Sequence, residues 1–69
     1  MTLREMLKDK NNIRVKEYER YGDGLIFIGG CFYADNQIIK IDGSFFPLDL
    51  ELNAYEWKDS HTLMIVRQQ

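Results

Sequence analysis

One cysteine, Cys31, and one histidine, His61, are the only residues of their types in this chain, so a thiol–imidazole nucleophile or a zinc site of the usual His and Cys kind has little raw material to draw on. A thiol beside an imidazole and an acid is the arrangement that makes a covalent catalyst. Cys31, however, follows Gly29 and Gly30 inside the apolar run 25–34, where a thiol serves more often as a small buried hydrophobe. A zinc ion needs three or four ligands, usually His and Cys at short spacings. Here a metal would have to rely on carboxylates around His61, and the usual spacings are absent. Gly22, Gly24, Gly29 and Gly30 miss the G-x-G-x-x-G pattern, and no Gly-Lys-Ser/Thr follows them, so no phosphate cradle is encoded. Asp49 and Glu51 have the same parity on a predicted strand, but on its solvent side, with no pocket implied. The sequence therefore predicts no catalytic residue, no metal ligand and no cofactor.

Two patterns suit non-covalent binding. Arg14, Lys16, Tyr18 and Arg20 alternate along one stretch and fall on one face of a strand. Cations interleaved with an aromatic ring can hold a phosphate backbone while a base stacks. Against this, Glu17 and Glu19 occupy the other face, and the net charge of −2 lacks the basic bias of most nucleic-acid binders. A solvated stripe paired across strands with Asp49 and Glu51 would look the same. The second pattern is Tyr55 and Trp57, which share the parity of Asp49 and Glu51, opposite a row of leucines. Either a bulge near Asn53 or Ala54 turns these aromatics into the core, or they stay outside as an anchor for a protein partner; Phe45 poses the same question. The sequence favours a non-enzymatic protein-interaction module that uses Tyr55, Trp57, Asp49 and Glu51. The alternative is a small barrel that binds single-stranded nucleic acid through Arg14, Lys16, Tyr18 and Arg20.

These residues need elements to position them. Thr2 and Glu5 form a capping box, and Leu3, Met6 and Leu7 make an apolar stripe that predicts a helix over about residues 3–10. A strand over 13–20 ends at Tyr21-Gly22-Asp23-Gly24, and a central strand over 25–33 is expected to bend or bulge at its glycine pair. Ala34-Asp35-Asn36 makes the next turn, before a short strand over 37–41. Asp42-Gly43 reads as a type I′ hairpin turn, which would set Ile41 opposite Ser44 and Ile39 opposite Phe46. Phe46, Leu48, Leu50, Leu52 and Ala54 alternate with polar residues over 46–54 as a half-buried strand does, and a last strand covers about 62–67 after a loop at 58–61. The expected fold is α+β: a short N-terminal helix on a curved five-stranded antiparallel sheet in sequential order, rolled into a small barrel-like shape.

With 69 residues, 45% hydrophobic and 29% charged, the chain has room for one globular domain with a small core, for which a homodimer is a natural supplement. Residues 1–20 carry an excess of cations and residues 21–69 an excess of acids. A single cysteine makes no internal disulfide, and neither a signal sequence nor a membrane span is evident, so a cytoplasmic setting is expected. The opening Thr2-Leu3-Arg4-Glu5-Met6-Leu7, the segment Asp42-Gly43-Ser44 leading to Leu48-Asp49, and Tyr55-Glu56-Trp57 before Leu63-Met64-Ile65-Val66 resemble short uncharacterised proteins of Firmicute prophages and mobile elements. That resemblance implies a bacterial cytoplasm under mobile-element control and, by its setting, an inhibitor or adaptor. It brings no catalytic residue with it.

Overall fold

The capping box forms as predicted. In the computed structural model, which describes residues 1–43 and 46–67, Thr2 Oγ1 accepts from the Glu5 amide at 3.3 Å, and Glu5 Oε1 accepts from the Thr2 amide at 2.8 Å. The helix α1 (Leu3–Leu7) is shorter than its apolar stripe suggested, because Asp9 and Asn12 take φ of 61° and 56° and turn the chain towards the sheet. Leu3 and Leu7 are fully buried.

Five strands follow: β1 (Ile13–Tyr21), β2 (Gly24–Ala34), β3 (Gln37–Asp42), β4 (Ala54–Asp59) and β5 (Thr62–Arg67). Gly22, at φ 58°, supplies the one positive-φ position of the tight turn between β1 and β2. Asp35 and Asn36, at φ 53° and 64°, give the two consecutive positive values of a type I′ turn between β2 and β3. Ile28 is an extra residue where β2 pairs with β1, next to the glycine pair at which a bulge was expected, and Ile39 is an extra residue where β3 pairs with β2.

The sheet order departs from the sequential antiparallel prediction. It is β3-β2-β1-β5-β4, with β5 parallel to β1 and every other pairing antiparallel. β3 and β4 remain as edges, so the sheet is mixed and open rather than closed into a barrel-like roll. The reason lies in residues 46–53, which do not form the predicted strand. Pro47 and a turn at residues 48–49 interrupt it, and the Leu50 amide bonds back to the Pro47 carbonyl at 3.0 Å. The segment instead spends its backbone groups on the start of α1: the Leu3 and Arg4 amides donate to the Leu50 and Leu48 carbonyls, each at 2.9 Å, and the Leu52 amide donates to the Met1 carbonyl at 2.8 Å. The first amides of any helix lack partners within it, and this segment supplies two of them. Phe46 and Leu52 are buried, with Leu48 and Leu50 packed against the same core, so the period of two records burial on one side without a strand ladder.

Asp42-Gly43 is likewise no hairpin. Gly43, at φ 88°, lies so close to β2 that a Cβ there would be 2.6 Å from the Ile28 carbonyl oxygen and 3.1 Å from Gly29 Cα. Ile39, the bulged residue, and Ile41 remain exposed, although Ile41 pairs with buried Cys31 and so has the parity of the covered face. Ser44 and Phe45, on which part of the predicted register rested, lie outside the described residues. The core gathers on one face of the sheet, from Ile13, Val15, Cys31, Tyr33, Leu63 and Ile65, and α1 with residues 46–53 lies over it. No described element lies over the other face.

Candidate nucleic-acid interface

Side chains alternate along β1, so its two sets of residues part company. Ile13, Val15 and Glu17 point to the covered face and are buried, with Glu17 only 1% exposed. Arg14, Lys16, Tyr18 and Arg20 point to the open face. The cations of this strand are thus outside, and its two acids, Glu17 and Glu19, share the parity of the covered side.

Register then sets the neighbours of this column. On the β2 side Arg14 stands beside Phe32, Lys16 beside Gly30, Tyr18 beside Phe27 and Arg20 beside Leu25. On the β5 side Arg14 meets Thr62, Lys16 meets Met64 and Tyr18 meets Val66. The Tyr18 and Phe27 rings pack edge to face, 5.7 Å apart at 70°. Gly30 has no side chain to fill the space between Phe27 and Phe32, and a cavity of about 340 Å³ opens there. Arg14 and Lys16 line one side of it, and Asp42, paired with Gly30 from β3, lines another. Two aromatic walls, two cations and one carboxylate acceptor make a slot in which a planar ring can stack while an anionic group is held beside it.

No family model, curated protein or solved structure matches the chain. The site therefore has to be read from its own geometry.

That geometry brings together all four residues of the predicted nucleic-acid set. It adds Phe27, Gly30, Phe32 and Asp42, which sequence reasoning missed. For Phe27 a signal was available: counting outward from the Gly22-Asp23 turn pairs Tyr21 with Gly24 and Tyr18 with Phe27. Phe32 and Gly30 lay beyond the Ile28 bulge, where simple counting slips by one residue.

The predicted protein-binding set is divided instead. Asp49 pairs with Arg4, Nη1 to Oδ1 at 2.6 Å, and Glu51 pairs with the Met1 ammonium at 2.8 Å, which raises the pKa of that amine. Both acids sit in the covering layer, on the opposite side of the sheet from Arg14 and Lys16, so they cannot be the partners of that stripe. Tyr55 and Trp57 lie on β4, opposite Ile65 and Leu63, and therefore on the covered side. The chain bends at Asn53 before β4 begins, which detaches their parity from that of residues 46–52. Trp57 is half-buried against the core, with Lys10 Nζ 4.9 Å above its ring. Tyr55 stays exposed at the rim, where its hydroxyl donates to Met1 Sδ at 3.8 Å.

Cys31 lies buried on the covered face, and burial, followed by the nearby Glu17 charge, pushes its thiol up to about 12. A thiol so raised is protonated at neutral pH and a poor nucleophile. His61 is exposed in the turn between β4 and β5, its Nδ1 2.9 Å from Ser60 Oγ, with β1 standing between its strand and that of Cys31. Its amide donates to Asp59 Oδ1 at 2.8 Å, a bond that holds the Asp59 carboxyl below its usual range. Among the described residues, no three His, Cys, Asp or Glu side chains converge where a metal ion could be held, and no helix is long and apolar enough to cross a membrane.

Proposed function

We propose that the chain is a small, non-enzymatic binding module that holds single-stranded nucleic acid on its open sheet face, in a bacterial cytoplasm. The observation that supports this reading is the column Arg14, Lys16, Tyr18 and Arg20 standing uncovered beside Phe27 and Phe32. The phosphate backbone runs along β1, where the three cations span about 20 Å at the rise of a strand. Bases leave the backbone towards β2 and stack on Phe32 and Phe27, one of them entering the slot beside Gly30. Stacking is tolerant of sequence, since every base has a π face. A duplex hides those faces and binds less well.

The acid excess elsewhere on the chain makes the affinity modest and sensitive to salt. Three cations displacing counterions from a single strand give a slope of about −2 in log K against log salt. Fluorescence anisotropy of a labelled single-stranded oligonucleotide across a salt series tests this, with Lys16→Ala and Tyr55→Ala as variants. The expected result is a slope near that value, reduced by about 0.7 in Lys16→Ala and unchanged in Tyr55→Ala. Absence of salt-dependent binding, together with a copurifying protein lost on Tyr55→Ala, would instead favour the protein-interaction reading through the β4 rim and its neighbouring acids.

A further inference from the structure

The slot beside Gly30 is built on a row of residues that crosses three strands. Lys16 on β1 pairs with Gly30 on β2, and Gly30 pairs with Asp42 on β3. Paired residues present the same side of a sheet, so Lys16 and Asp42 both stand on the open face. Two strand spacings put about 10 Å between their backbones. Gly30 has no side chain, which makes the middle of the row a floor. A Cβ there would lie 3.7 Å from the Phe27 ring and 3.0 Å from the Val15 carbonyl oxygen, so that ring leans over the floor from one side. Phe32, the next residue of β2 on the open face, walls the other side. A flat ring seated between the two aromatics therefore lies along the row, one end at the cations of β1 and the other at Asp42.

Asp42 is out of keeping with a face that holds phosphate, because its charge repels one. The ion pairs Met1–Glu51 and Arg4–Asp49 lie in the covering layer, on the other side of the sheet, so neither engages Asp42 or Lys16. An ionised carboxylate only accepts hydrogen bonds, and a base edge rich in donors suits it. With sugar and phosphate over β1, the edge of a base that reaches β3 is the one farthest from its sugar. In guanine that edge carries two adjacent donors, N1–H and N2–H, which match the two oxygens of a carboxylate. Adenine and cytosine set a ring-nitrogen lone pair beside their amino group, and thymine and uracil flank their one N–H with carbonyl oxygens. Each of these turns a lone pair towards Asp42 and leaves it poorly matched.

We infer that the slot selects guanine, an inference that rests on the single-strand reading of the open face. The base stacks between Phe27 and Phe32 and donates N1–H and N2–H to the Asp42 carboxylate, while Arg14 and Lys16 hold the adjoining phosphate. Stacking alone is indifferent to the base, so the rest of the strand goes unread and the choice is made at this one position.

Fluorescence anisotropy at low salt tests it, using a short oligothymidine whose central base is thymine, guanine, hypoxanthine, adenine or cytosine, with the wild-type chain and Asp42→Asn. The guanine strand is expected to bind the wild type about tenfold tighter than the all-thymine strand, the lower part of what one bidentate base contact provides, because the slot is open to water. Hypoxanthine keeps N1–H but lacks the 2-amino group, and it is expected to lose most of that gain in an arm that needs no variant. Asp42→Asn is expected to bind the all-thymine strand at least as well as the wild type does, since an acid has gone, and to lose the preference for guanine. An acid that acted through charge alone would change every strand equally. Equal affinity of the wild type for all five strands, a full gain with hypoxanthine, or a guanine preference that survives in Asp42→Asn would each overturn the selection of guanine and leave the single-strand reading standing. Failure of every strand to bind would overturn both.

Discussion

The two faces of this sheet are made from alternate residues of the same strands, yet they contrast in almost every physical respect. The covered face holds Ile13, Val15, Leu63 and Ile65 under α1 and residues 46–53, and within it the one cysteine is buried with its thiol strongly raised. The open face holds Arg14, Lys16, Tyr18, Phe27 and Phe32 with no described element above them. A chain of 69 residues has a small core, and the aromatic rings it leaves uncovered are the ones the proposed binding face would use. The difference teaches that burial on one side and availability on the other come from a single device, strand alternation, and it separates what holds the fold from what can bind.

Substitutions sharpen that contrast when they are made in matched pairs. Phe46→Ala, which removes the ring that the covering segment inserts into the core, should cost about 3–5 kcal/mol. Total stability for a chain of this length is roughly 3–10 kcal/mol, so denaturant titration should show much or all of it gone. Gly43→Ala comes next: its positive φ and the 2.6 Å approach to the Ile28 carbonyl predict a loss of about 1–3 kcal/mol. On the open face, Phe27→Ala should cost stability only the edge-to-face pair with Tyr18, about 1 kcal/mol. The same change should weaken oligonucleotide binding by about 1–3 kcal/mol for the base it stacks. If Phe27→Ala proves as destabilising as Phe46→Ala and leaves binding unaltered, the division between the faces is wrong.

The smallest effect is in the pH profile. Glu5 and Asp59 are held below the usual carboxylate range, Glu5 by the Thr2 amide and hydroxyl and Asp59 chiefly by the His61 amide. A depressed folded pKa contributes stability above the unfolded value and loses it as pH falls through the folded one, so unfolding should become easier at acid pH. Cys31 acts at the other end: its raised thiol gives up a proton more readily when unfolded, so stability should decline as pH rises above the ordinary thiol range towards about 12. Thermal melts across pH, with Glu5→Gln flattening the acid limb and Cys31→Ala flattening the alkaline one, check both signs.

Local signals were well written in this sequence, and partner choice was not. Thr2 and Glu5 announced the helix start, and Gly22 and Asp35-Asn36 announced two hairpins, because each of these is decided within four residues. Arg14, Lys16, Tyr18 and Arg20 were correctly grouped by the period of a strand. The alternation of residues 46–54 misled because a period of two reports which side is buried, and a segment hydrogen-bonded to a helix start buries one side as well as a strand does. Nothing local to residues 62–67 says that they will lie parallel to β1, since that pairing joins segments far apart in the chain. Trp57 turned inward by one of the two routes the sequence left open: a bend at Asn53 resets the parity that the preceding residues carried, and which route holds is decided by packing on the core.

The division of labour between the faces is tested most directly by residue-resolved amide chemical shifts on adding a short single-stranded oligonucleotide at low salt. The account predicts that shifts concentrate at Arg14, Lys16, Tyr18, Phe27, Gly30 and Phe32, fade as salt is raised, and spare Leu3, Leu7, Phe46 and Leu52. Shifts centred on α1, residues 46–53 and Tyr55, or no shifts at all, would contradict it.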